Sequence, residues 1–307
     1  MSRSKKRGRM GLVGWIILGI LVVAVGTAVW YGNRIIGQSA DRLLYPRRTQ
    51  PSQTPADFGL TAETVQFTAA DGVTIAAWFV PPPEDGSGAV LIYAHGFGGN
   101  RGALLVQAAA MHQAGYGALL VDLRNHGESG DAISTWGLAE ANDLIAAFGY
   151  LQTHPEVDSA RIGLVGKSMG GAAAALAAAQ LPDLAVLVLE STYASLEENM
   201  VNIMPSIARA PGFLAPTVFS RINAATDEPL TEIRTADIVP NLAMPLLIMH
   251  GEQDRIVPVA QGRTIFAAAN EPKQLHTIPG AGHLNIFTVD PDTFTAQMQA
   301  FLAEHLP

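Results

Sequence analysis

Two kinds of apolar pattern divide this 307-residue chain. The first is one uninterrupted stretch, residues 10–31, that carries no charge. As a helix it extends about 33 Å, against about 30 Å of bilayer hydrocarbon. Trp15, Trp30 and Tyr31 stand toward its ends, where interfacial aromatics belong. The second pattern begins near Phe58, where short apolar runs alternate with helical periods. Residues 63–68 alternate in and out, and 73–80 follow across the hairpin signal Asp71-Gly72. Residues 89–94, 118–121, 161–165, 184–189 and 245–249 are continuous runs that read as strands buried on both faces, and 274–278 as the last strand. Helical periods fall at 103–113, 138–151, 172–179, 260–268 and 294–305. This alternation predicts an α/β fold with a mostly parallel sheet and helices on both faces.

One interval breaks the rhythm. Residues 191–242 hold no clear strand, and their apolar positions are interrupted by Pro205, Pro211 and Pro216. Short helices capping the active edge of the sheet fit that composition, because open α/β sheets bind ligands at the carboxyl ends of their strands. Residues 32–57, with Arg34, Arg42, Arg47, Arg48, Pro51 and Pro55, read as a linker. The expected organisation is a basic tail (1–9), a transmembrane anchor (10–31), a linker (32–57) and a globular domain (58–307) with its cap near 191–242.

Charge sharpens the picture. Residues 1–9 hold Arg3, Lys5, Lys6, Arg7 and Arg9 and no acid, so the N-terminus belongs on the cytoplasmic side and the domain on the extracytoplasmic side. A cleaved signal peptide, with Ala24-Val25-Gly26 at the cleavage site, is the competing reading. The remaining chain has 14 basic and 27 acidic residues, a poor nucleic-acid binder. There is no cysteine, which excludes disulfides and thiolate metal sites. No metal or other cofactor is expected.

The candidate chemistry centres on Gly166-Lys167-Ser168-Met169-Gly170-Gly171, between an apolar run and an alanine-rich helix former. Strand, sharp turn and helix are the context in which Gly-x-Ser-x-Gly becomes a nucleophile elbow. Gly166-Lys167-Ser168 would also end a phosphate-binding P-loop, but the first glycine of that motif would fall on Arg161. A serine hydroxyl needs a general base, and the base needs an orienting acid. His283 lies in a glycine-rich loop after the last strand and Asp254 in the loop after the strand before it. Glu190 and Glu252 are rival acids. The order Ser168, Asp254, His283 is that of α/β hydrolases. Backbone N–H groups of Met169 and Phe97 are the expected oxyanion donors, Phe97 from the loop His95-Gly96-Phe97-Gly98-Gly99. Asp122, Arg124, His126 and Glu128 form a polar cluster read as structural.

These motifs, with Asp122-x-Arg124-x-His126-Gly127-x-Ser129, His250-Gly251-x-x-Asp254-x-x-Val257-Pro258 and Gly282-His283, resemble the α/β-hydrolase superfamily. The nearest flavour is the serine-aminopeptidase and monoacylglycerol-lipase-like branch, which includes membrane-tethered abhydrolase-domain proteins. The resemblance covers residues 58–307. It implies a Ser168, Asp254, His283 triad and an ester, thioester or amide substrate. The expected activity is a membrane-anchored serine hydrolase acting on acyl esters or thioesters, lipids included. An aminopeptidase or amidase is the alternative, its amine held by Asp227, Glu228 or Glu232; a non-catalytic membrane-bound binding protein is the alternative of another class.

Overall fold

The computed structural model describes residues 11–84, 86–205, 214–226 and 229–306. The basic tail and Met10 therefore lie outside the described residues, as do Pro211, Asp227 and Glu228. Among the described residues eight strands form one sheet: β1 (Glu63–Thr68), β2 (Thr74–Val80), β3 (Val90–Ala94), β4 (Gly117–Val121), β5 (Ile162–Lys167), β6 (Val186–Glu190), β7 (Leu246–Gly251) and β8 (Lys273–Ile278). Their order is β1-β2-β4-β3-β5-β6-β7-β8. β2 is antiparallel to both β1 and β4, and every pairing from β4 through β3 to β8 is parallel. The sheet is thus mostly parallel, with an antiparallel edge made by the hairpin at Asp71-Gly72.

The helices are α1 (Leu12–Leu44), α2 (Leu105–His112), α3 (Glu140–Gln152), α4 (Met169–Ala178), α5 (Leu196–Ile203), α6 (Leu214–Asn223), α7 (Val259–Ala268) and α8 (Pro291–His305), with a few single turns between them. Strand period decides which side each packs on. Val90, Ile92 and Ala94 of β3 join a core with α3, α4 and α7, while Leu91 and Tyr93 join one with α2 and α8. Both faces of the central strands are therefore covered, which is why those strands are continuous apolar runs. α4 has nine of its ten residues buried. Alanine is the best helix former and the smallest apolar side chain, so this helix can pack tightly against β5, β6 and α3.

α1 departs from the expected organisation. It does not stop at Tyr31 but runs unbroken to Leu44, so the first part of the expected linker is helix. At 33 residues it is about 50 Å long. Its N-terminal part is exposed, apolar and long enough to span a membrane, which fits a membrane span or a signal anchor. Its last turns are buried through Ile36, Gly37, Ala40, Leu43 and Leu44, and α1 packs there on α6. The spacing 36, 40, 43, 44 is a helical stripe. Arg34 before these positions and Gln38, Asp41 and Arg42 between them gave the segment the composition of a linker.

The interval 191–242 holds no strand among its described residues. It contains α5, α6 and three single turns, Leu230–Glu232, Thr235–Ile238 and Val239–Asn241.

Candidate active site

Ser168 stands between the last residue of β5 and the first of α4, at φ 54° and ψ −118°. This is a sparsely populated conformation for a residue with a side chain and costs of order 1–3 kcal/mol. Bare backbone around it makes the turn possible. A Cβ on Gly166 would overlap the Gly170 carbonyl, and one on Gly170 would overlap the Ala94 carbonyl. The Ser168 N–H is tied to the Glu190 carbonyl at 2.8 Å, so the turn is pinned to the neighbouring strand.

Asp254 follows β7 and is buried. Its Oδ1 accepts the N–H groups of Ile256 (2.9 Å) and Val257 (2.8 Å). Its Oδ2 lies 2.7 Å from His283 Nδ1, and His283 Nε2 lies 3.1 Å from Ser168 Oγ. With Nδ1–H donating to the carboxylate, Nε2 is left to accept from the serine hydroxyl. Burial works to raise the Asp254 pKa. The His283 hydrogen bond, with the backbone donors, outweighs it and holds the carboxyl below its usual range. The structure therefore joins Ser168, His283 and Asp254 in one hydrogen-bonded chain, from three loops at the carboxyl edge of the sheet.

The loop after β3 passes beside the serine. Gly96 approaches so closely that a Cβ there would stand 3.2 Å from Ser168 Cβ. His95 organises the loop: Nδ1–H donates to the Gly96 carbonyl (2.7 Å) and Nε2 accepts from Leu123 N–H (3.1 Å). Burial, with His126 nearby, pushes the His95 pKa down to about 3, so its ring stays neutral. Among the described residues, neither Phe97 N–H nor Met169 N–H donates to a backbone or side-chain acceptor.

A sequence profile of the prolyl oligopeptidase family matches residues 104–307, about two thirds of the chain. This chain belongs to the prolyl oligopeptidase family, within the α/β-hydrolase superfamily. Relatives extend the match over most of the remainder. The uncharacterized protein Rv2307c of Mycobacterium tuberculosis is 30% identical over 288 residues, covering 94% of this chain and 93% of its own. The α/β hydrolase domain-containing protein WAV2 of Arabidopsis thaliana is 25% identical, covering 83% and 82%. Among solved structures, the Pyrococcus furiosus esterase Pf2001 superimposes with a TM-score of 0.72 at 25% identity, covering 86% of this chain and 99% of its own. The superfamily is the one the motifs resemble, and the chain is a hydrolase.

Within this hydrolase the rival acids are engaged elsewhere. Glu190 is fully buried, accepts from Gln107 Nε2 at 3.1 Å, and is pushed up in pKa by burial. Glu252 is exposed and accepts the Thr277 hydroxyl at 2.9 Å. The polar cluster after β4 braces loops. Asp122 accepts the Arg101 N–H, Arg124 forks onto Asp143, and His126 Nε2 accepts the Gly98 N–H at 3.0 Å. His250 packs under Asp254, donating Nε2–H to the Val257 carbonyl at 2.8 Å. Among the described residues no cluster of His, Asp or Glu is placed to hold a metal ion.

Two residues escaped the sequence reading. Buried Glu140, in the first turn of α3, gathers Ser134 Oγ, Thr135 N–H and Oγ1, and Gly137 N–H within 2.9 Å. Trp136, held between those donors, stacks on the Phe97 ring. The local signal was an acid at a helix start just after Thr135-Trp136-Gly137. The cleft over Ser168 has a volume of about 340 Å³. Phe97, Trp136, Ile203, Ile256, Val257 and Leu284 give it apolar walls, and Asn202 and Lys167 add polar groups. Glu232 does not line it but borders a separate groove with Arg234 and Asp237.

Proposed function

We propose that this chain is a membrane-anchored serine hydrolase that cleaves acyl esters or thioesters, lipids included, through an acyl-enzyme on Ser168. The observation that carries the reading is the chain Asp254–His283–Ser168 at 2.7 and 3.1 Å, at the mouth of an apolar cleft. His283 Nε2 takes the hydroxyl proton as Ser168 Oγ attacks the acyl carbon. Asp254 steadies the imidazolium that forms. The carbonyl oxygen becomes an oxyanion and accepts from the free N–H groups of Phe97 and Met169, each donor contributing about 2.7–4 kcal/mol. His283 then protonates the leaving alkoxide or thiolate. Water, activated by the same histidine, releases the acid.

The family match supports a second reading, an aminopeptidase or amidase. The cleft favours esters. Among the described residues no carboxylate lines it, so a substrate ammonium finds no partner there. Turnover of a p-nitrophenyl acyl ester, set against an aminoacyl p-nitroanilide, decides between the two. The ester is expected to be the better substrate, and Ser168→Ala is expected to abolish its turnover. Unchanged turnover in that variant overturns the assignment.

The proposed topology places the N-terminus in the cytoplasm and the hydrolase domain outside it. The unbroken course of α1 through Ala24-Val25-Gly26 to its docked end supports an anchor over a cleaved signal. Release from membranes by high salt without detergent contradicts it.

A further inference from the structure

Trp136 is held from every side, and the chemistry proposed above makes no use of it. Its indole N–H donates to the Leu43 carbonyl, near the end of α1, at 3.0 Å. Its ring stacks on Phe97 with centroids 4.5 Å apart and planes 13° from parallel. Its own carbonyl accepts the Tyr193 hydroxyl. Its φ is +57°, in the left-handed region, where a bulky side chain is rare. The buried Glu140 carboxylate fixes the residues on both sides of it. So many constraints on one large side chain make a rigid wall.

That wall has two faces. One lines the Ser168 cleft beside Phe97. The other borders a small space beneath α5 and α6, lined by Leu196, Met200, Phe219, Ile222 and Leu230. Its volume is about 10 Å³, no more than one water occupies, and Thr231 is the one polar residue of its lining. Among the described residues Trp136 alone lines both.

The geometry at Ser168 sets the direction of the substrate. The leaving group must lie beside His283 Nε2, which protonates it. His283 shares its side of the cleft with Ile256 and with Leu284, which is 80% exposed and marks the open mouth. The acyl group therefore takes the opposite side, along Phe97 toward the indole. We propose that Trp136 sets the acyl-length limit of this enzyme. Short acyl groups fill the cleft up to the indole, and longer ones are stopped by it, although apolar space continues behind. The inference rests on the ester-hydrolase reading and narrows the substrates of that site to esters of short acyl groups, which sets long-chain lipids aside.

The test is kcat/KM of the full chain in detergent micelles on p-nitrophenyl butyrate, octanoate and dodecanoate. Wild type is expected to prefer butyrate. In Trp136→Ala the dodecanoate-to-butyrate ratio is expected to rise at least about tenfold, the worth of a methylene that gains an apolar pocket. Refilling the space with Met200→Trp in that background is expected to lower the ratio again. Trp136→Phe, which keeps the stacking, carries the same test if the alanine variant does not fold; its ratio is expected to rise about threefold. A folded variant that hydrolyses butyrate with an unchanged ratio overturns the inference alone, as does a wild type that prefers dodecanoate. A wild type that hydrolyses no ester overturns the ester-hydrolase reading and the inference with it.

Discussion

At the carboxyl edge of the sheet, position follows from backbone. Ser168 is placed by a glycine-walled turn between β5 and α4, and Asp254 and His283 lie in the loops that leave β7 and β8. Across the cleft, position follows from contacts between segments far apart in the chain. Trp136 depends on Leu43, Tyr193, Phe97 and Glu140 together. The C-terminus of α1 is caught by the same region, with Asn125 and Ser134 both donating to the Leu44 carbonyl. A turn of the first kind is written in neighbouring residues. A wall of the second kind exists only after the chain has folded. The proposed chemistry is thus local and the shape of the cleft is not.

Substitutions that separate the two regions test this contrast. The largest effect belongs to the sheet edge. Ser168→Ala is expected to lower ester turnover by about a millionfold, the scale on which a serine nucleophile matters, with an unchanged circular dichroism spectrum. Next comes Asp254→Asn, which leaves the geometry in place but favours the wrong His283 tautomer. A drop in kcat of about 10⁴ is expected, read in the same ester assay. A drop of only a few-fold gives Glu190 or another acid the role.

On the other side of the cleft, a chain lacking residues 1–31 is expected to fold and keep its kcat in free solution. One lacking residues 1–44 loses the buried stripe of α1 and the acceptor for Trp136, and is expected to lose both. Equal behaviour of the two truncations removes α1 from the cleft architecture. The single change Leu44→Ala isolates the packing. It is expected to cost about 2–5 kcal/mol in chemical denaturation, since Leu44 is 3% exposed.

The smallest expected effect is on pH dependence. His95 is fully buried and its pKa falls from 6.5 to about 3 on folding. Below pH 6.5 the unfolded chain binds a proton that the folded chain refuses, so stability is complete above that pH and declines with acid. At pH 5 the loss is about 2 kcal/mol, and His95→Gln removes that slope from the denaturation midpoint. Asp254 adds a loss at still lower pH, because its carboxyl is held below its usual value.

This contrast also explains what could be read from the amino-acid sequence. Continuous apolar runs placed β3 to β7, and Gly-x-Ser-x-Gly drew attention to Ser168. Asp254 and His283 were legible because each lies in the loop that leaves the carboxyl end of a strand. The C-terminal part of α1 was hidden, because its stripe of 36, 40, 43 and 44 is broken by charged residues on the solvent face. Trp136 was hidden for another reason: its partners lie at residues 43, 97 and 193, which no local period connects, and Glu140 left only the weak local signal of an acid at a helix start.

The proposed chemistry requires Ser168 to be a nucleophile activated by His283. Labelling the intact protein with a fluorophosphonate probe and locating the adduct by mass spectrometry tests it most directly. One adduct is predicted, on Ser168, absent in Ser168→Ala and strongly slowed in His283→Ala. A protein that turns over the ester but carries its adduct on another residue, or labels equally fast without His283, contradicts the account.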